Sequence, residues 1–161
     1  MLLRPSFSIA FALLALTTGA AAAETPTAVF SRYELLGAWA SDCKKPPGPA
    51  NWFVTHSPTN TGSVQTQYDH GGGGAPLLSV VDSARPLSTT TLDIHVKYTD
   101  AKWGTLNGSI FTMIVEVSAG RTHTVQSIRN DGMILIKESK FATDGRPSQI
   151  LYKCPGGRPN A

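Results

Sequence analysis

Leu35-Leu36-Gly37-Ala38-Trp39-Ala40-Ser41-Asp42-Cys43 brings a glycine, a tryptophan and one of only two cysteines into a single short run. The other cysteine, Cys154, lies near the opposite end of the chain. A bond between them ties the first strand of a domain to its last. The fold therefore turns on what lies between, and that interval reads as a succession of strands. Thr91 to Tyr98 is the clearest of them: Leu92, Ile94, Val96 and Tyr98 face one way, and Asp93, His95 and Lys97 the other.

Working outward from that strand, residues 110–117 repeat the pattern, with Phe111, Met113, Val115 and Val117 on the expected core face. Residues 51–56, 63–68, 77–81, 121–129, 133–137 and 149–154 are further strand candidates. Turn residues separate them: Ser57 to Gly62, Gly71 to Gly74, Arg85-Pro86, the Asn130-Asp131-Gly132 hairpin signal and Thr143 to Pro147. Lys44-Lys45-Pro46-Pro47-Gly48-Pro49 breaks the chain after the opening run, because proline has no amide donor for a ladder. Residues 29–36 read as a single helical turn or as the lead-in to a strand.

About eight or nine short strands with short links predict an all-β domain in antiparallel up-and-down order. Closing such a sheet into a barrel removes its two exposed edges. A Cys43–Cys154 disulfide fits that closure. A β-sandwich is the alternative, and would normally show longer crossings.

The beginning of the chain predicts export. Arg4 precedes an apolar run over residues 7–16, and Ala21-Ala22-Ala23 suits a signal peptidase. That run is shorter than the ~20 residues that span a bilayer, although a retained anchor is the competing reading. Residues 1–23 are thus expected to be a signal peptide and residues 24–161 one domain, monomeric and periplasmic or secreted. Residues 24–28 read as a mobile arm. In an oxidising compartment the two cysteines are expected to pair, with free thiols as the alternative. Closing a loop of ~100 residues gains about 4.7 kcal/mol on the chain-entropy model.

Gly37-x-Trp39 on a first strand, behind an exported N-terminus and ahead of a strand meander, resembles the opening of calycin barrels such as lipocalins and avidins. The resemblance implies a small lipocalin-like barrel of the bacterial envelope. In it the glycine permits a tight approach, Trp39 plugs the closed end, and a basic residue from the last strand, Lys153, covers the indole. The layout is also similar to small exported inhibitors of secreted metalloproteases. That likeness implies a protease partner and an inhibitory element at residues 24–28.

Chemistry-bearing patterns are sparse. His70-Gly71-Gly72-Gly73 matches an esterase oxyanion loop in letters, but the chain has no G-x-S-x-G elbow to carry the nucleophile. His56, His70, His95 and His123 are scattered, so no local metal motif exists, and no metal or cofactor is expected. The carboxylates form no evident acid–base pair. A net charge of +3 with dispersed basic residues argues against nucleic-acid binding. Trp52, Tyr68 and Trp103 lie near strand ends or loops, as aromatics at a ligand-binding barrel mouth do, with ordinary core packing the alternative. The expected function is non-catalytic binding of a small or apolar ligand. A protein-binding module, such as a protease inhibitor, is the second reading.

Overall fold

The computed structural model describes residues 23–99 and 106–157. Most of the predicted leader, Trp103 and Arg158 lie outside them. The described residues form one helix, α1 (Pro26–Arg32), and ten strands. These are β1 (Gly37–Ala40), β2 (Phe53–Pro58), β3 (Val64–Asp69), β4 (Leu77–Pro86), β5 (Thr91–Tyr98), β6 (Ile110–Ser118), β7 (Arg121–Arg129), β8 (Ile134–Lys137), β9 (Lys140–Phe141) and β10 (Leu151–Lys153).

β1 to β7 pair in sequence, all antiparallel, and β10 pairs with both β7 and β1. The result is a closed barrel of eight strands, which decides against the sandwich. Strict up-and-down order fails once. The β8–β9 hairpin pairs outside the ring, on the part of β7 around Ser127 and Ile128, while β10 takes the part at Arg121 and Thr122. The closing seam between β7 and β10 therefore rests on two residue pairs, Leu151 with Thr122 and Tyr152 with Arg121.

The disulfide reinforces that closure from outside. Cys43 and Cys154 are bonded, with Cα atoms 5.4 Å apart and a sequence separation of 111. Ala38, Ala40 and Phe53 are buried beside Cys154, with Cys43 packed against them. The bond indicates an oxidising, extracytoplasmic setting.

Alternation dictates the interior. Val64, Thr66 and Tyr68 of β3, and Leu92, Ile94, Val96 and Tyr98 of β5, occupy alternate inward positions. β4 extends beyond the predicted strand over residues 77–81 and stops at Pro86, within the expected Arg85-Pro86 break. A register shift between Val81 and Ser83 returns Ala84 to the core. Pro86 is tolerated because β3 ends opposite Val81, so no neighbour on that side needs its missing amide. The strand expected over residues 51–56 begins only at Phe53, and the final one is confined to Leu151–Lys153.

Residues 24–28 do not form a mobile arm. Thr25 caps α1, its hydroxyl accepting from the Ala28 amide at 3.3 Å, and Pro26 opens the first turn, where no amide partner is needed. Thr27 donates from its amide to Gly62 and from its hydroxyl to Ser63. Beyond Tyr33 the Leu35 amide bonds to Phe30 O and the Glu34 amide to Ser31 O, which closes the helix C-terminus. This anchored turn drives Val29 and Phe30 into the core, so α1 closes one end of the barrel, here called the base. No helix among the described residues is long and apolar enough to cross a membrane.

Candidate functional site

The base is packed shut around Trp39. Its indole is 1% exposed, and Nε1 donates to Leu35 O at 2.7 Å. Lys153 reaches across from β10, with Nζ 5.7 Å from the ring centroid, and donates to the carbonyl of Glu34. Trp39 and Lys153 are therefore neighbours, directly opposite in the β1–β10 register. Gly37 has a different role from the tight approach expected of it. A Cβ there would meet nothing within 4 Å, but φ is 107°, a backbone angle that side-chain-bearing residues rarely adopt.

Beside the base lies an open cleft of about 460 Å³ between α1, the β4–β5 hairpin and the β6–β7 hairpin, lined by Arg32, Glu34, Thr90 and Ser118 among others. Arg32 is already paired with Glu24 at 2.6 Å, which leaves Glu34 as the other charged residue of the lining.

The opposite end is built differently. Tyr68 is the penultimate residue of β3 and Tyr98 the last of β5, and their rings stack with centroids 6.0 Å apart. Phe111, at the start of β6, meets Tyr98 edge-on at 5.2 Å. Burial pushes the Tyr68 hydroxyl's pKa up, with the Tyr98 and Ser79 side chains opposing the rise. Burial and the neighbouring Tyr68 push that of Tyr98 well above its ordinary value. Both phenols are neutral near pH 7, and so keep their protons to donate.

Next to this aromatic cluster the strand register assembles a polar row. His56 stands opposite Thr66, Thr66 opposite Ser79, and Ser79 opposite Tyr98. Thr66 is 1% exposed and Ser79 fully buried. His56 Nδ1 and Thr66 Oγ1 are 2.9 Å apart. Burial lowers the His56 pKa to about 4, so the imidazole is neutral at pH 7. The Ser79 hydroxyl lies near enough to influence Tyr68 but makes no hydrogen bond of ordinary geometry among the described residues. Leaving a buried hydroxyl unpaired costs about 1–3 kcal/mol. Four polar side chains side by side on the inner face of a barrel are the arrangement that a hydrogen-bonding ligand requires.

Of the sequence-predicted ligand residues, Tyr68 belongs to this interior cluster. Trp52 does not: it is 39% exposed, its ring tilts against His70 at 6.0 Å, and its Nε1 donates to Pro49 O. Trp103 lies outside the described residues. The rim around Trp52 is held by Asn51, which the sequence reading passed over. The Asn51 carboxamide accepts from the Asp42 amide at 2.9 Å and donates to the carbonyls of Asp42, Lys45 and Pro46. Its position two residues beyond Pro49, in a proline-rich connection short of amide donors, was the available signal.

The glycine loop after His70 is structural. Gly71 passes so close to the Pro47 carbonyl that a Cβ would stand 2.4 Å from the oxygen, and its amide donates to the Asp69 carboxylate. That amide is therefore engaged rather than presented to an oxyanion. His95 is exposed on the outer face of β5, as its alternation predicts. Among the described residues no three His, Cys, Asp or Glu side chains are grouped to hold a metal ion. Compared with known proteins, the chain matches no family model, no curated protein and no solved structure.

Proposed function

We propose that this protein is a non-catalytic binder, exported to the periplasm or the cell exterior, which holds a small and largely apolar ligand inside the barrel at the end away from α1. The observation that carries this reading is the inward row of His56, Thr66, Ser79 and Tyr98 beside the stacked Tyr68. A barrel that needed only stability would fill those positions with aliphatic side chains, as it does at Val64, Val81 and Val96 in the next row. Aromatic walls supply apolar contact, and the row supplies orientation. The reading agrees with the lipocalin-like layout suggested by Gly37-x-Trp39.

An inhibitor acting through residues 24–28 draws less support. Thr25 and Thr27 are committed to capping and docking α1, so presenting that segment to a protease would expose Val29 and Phe30.

Native mass spectrometry of the protein recovered without denaturation from its own compartment tests the proposal. A bound small-molecule mass that is lost on unfolding is expected. Bare protein only, together with no uptake of added apolar compounds, would refute it.

A further inference from the structure

The inner face carries information about the ligand's charge, given the binding reading above. Between the base and the aromatic cluster, His56, Thr66, Tyr68, Ser79, Tyr98 and Ser127 face inward, with Thr122 and Thr124 also on the inner face. None is charged near neutral pH, since the imidazole is held neutral and the phenols keep their protons. The cations closest in the strand register are already engaged. Arg129, opposite Phe111, pairs with Asp131, and Lys153 is committed to Trp39 and the Glu34 carbonyl.

An ionised head group drawn into this interior would lose its hydration and find no countercharge among the described residues, an arrangement that is strongly disfavoured. A neutral hydroxyl or carbonyl would instead meet several groups able to donate or accept. Ser79 has capacity to spare: its hydroxyl offers one donor and two acceptor positions, is fully buried, and has only a loose approach to Tyr68, with no bond of ordinary geometry among the described residues.

We infer that the barrel selects an uncharged ligand, an apolar body carrying one hydroxyl or carbonyl group, and that Ser79 is the residue that bonds this group and sets the selectivity.

Matched probes on the oxidised protein test this by titration calorimetry: decan-1-ol, decanoate and decylammonium for a flexible body, and 2-naphthol with 2-naphthoate for a planar one. The neutral members are expected to bind at least about tenfold more tightly than their charged counterparts, and Ser79→Ala to reduce that preference about fivefold. The Ser79→Ala protein should melt no lower than its parent, because the substitution removes an unpaired buried hydroxyl, so lost selectivity cannot be ascribed to unfolding. Equal affinity for decanol and decanoate would overturn the charge selectivity while leaving the binding function standing. An unchanged preference in Ser79→Ala would overturn the role of Ser79. Failure of every probe to bind would overturn both this inference and the binding proposal.

Discussion

Lys153 stands over the indole of Trp39, its ammonium 5.7 Å from the ring centroid, and the two residues are cross-strand partners at the seam where β10 meets β1. The same ammonium donates to the Glu34 carbonyl just beyond α1. One side chain thereby joins the last strand, the first strand and the helix that closes the base. Lys153→Met keeps the apolar stem and removes the charge. It should destabilise the fold by about 1–2 kcal/mol, the sum of a cation–π contact and one charge-assisted hydrogen bond. Urea denaturation followed by tryptophan fluorescence measures it. An unchanged midpoint would mean that the stem's packing alone closes the base.

The disulfide acts on the same closure from the outer face. Because the β7–β10 seam has only two residue pairs, little besides the bond and the β1 ladder retains β10. Reduction, or Cys154→Ser, is expected to lower the melting temperature by several degrees, consistent with the entropy of a 111-residue loop. Amide exchange should rise first in β10. Uniform acceleration across all strands would show instead that the barrel opens only as a whole.

Glu34 holds φ at 56°, at the position after the helix end where glycine is usual. Glu34→Gly should stabilise the protein by about 1 kcal/mol, since the left-handed conformation is free of Cβ strain only for glycine and the carbonyl that Lys153 uses is retained. Glu34→Ala serves as the comparison. An equal gain from alanine would trace the effect to the carboxylate rather than to the backbone.

How far the sequence discloses this arrangement depends on whether an interaction is local. The alternation of β5 assigns every side chain from Leu92 to Tyr98 to its face, because a strand's period is written in consecutive residues. The closure was legible from two cysteines and the count of strands. The row of His56, Thr66, Ser79 and Tyr98 was not, since it exists only once four strands adopt a particular register and each member reads alone as an ordinary polar residue. α1 was ambiguous for the opposite reason. Its seven residues are too few to establish a helical period, and its stability comes from Thr25 and from the burial of Phe30. β9 and its exit from the ring left no signal beyond the turn at Asp144-Gly145.

Gly71 and Gly74 lie in the same loop but face different constraints. A side chain at Gly71 would collide with the Pro47 carbonyl at a positive φ, whereas at Gly74 a Cβ would meet nothing and no positive φ is required. Gly71→Ala should cost about 2–4 kcal/mol and detach the β3–β4 loop from the proline-rich connection. Gly74→Ala should be neutral or slightly stabilising. Thermal melts with Trp52 emission as a rim probe distinguish them, and matching behaviour of the two variants would contradict the close contact at Pro47.

His56 gives the fold an acid-sensitive interior. Its imidazole meets Phe30 of α1 edge-on at 5.2 Å and shares a hydrogen bond with Thr66. Burial depresses its pKa from 6.5 to about 4, so the folded protein holds it neutral where the unfolded chain would take up a proton. The unfolded state thus binds more protons between those two values, and stability must fall as pH drops from 6.5 towards 4, then level off for this group. The full shift corresponds to about 3 kcal/mol, an upper figure because His56 retains some accessible surface. The window lies above that of Asp131, whose pKa, lowered from 3.8 to about 2 by Arg129, brings a further loss only in stronger acid. Denaturation midpoints measured from pH 7.5 to 3 should show this first decline in the parent protein, and His56→Gln should flatten it while leaving the later one in place. A decline that persists in His56→Gln would assign the acid sensitivity to another group and remove His56 as its source.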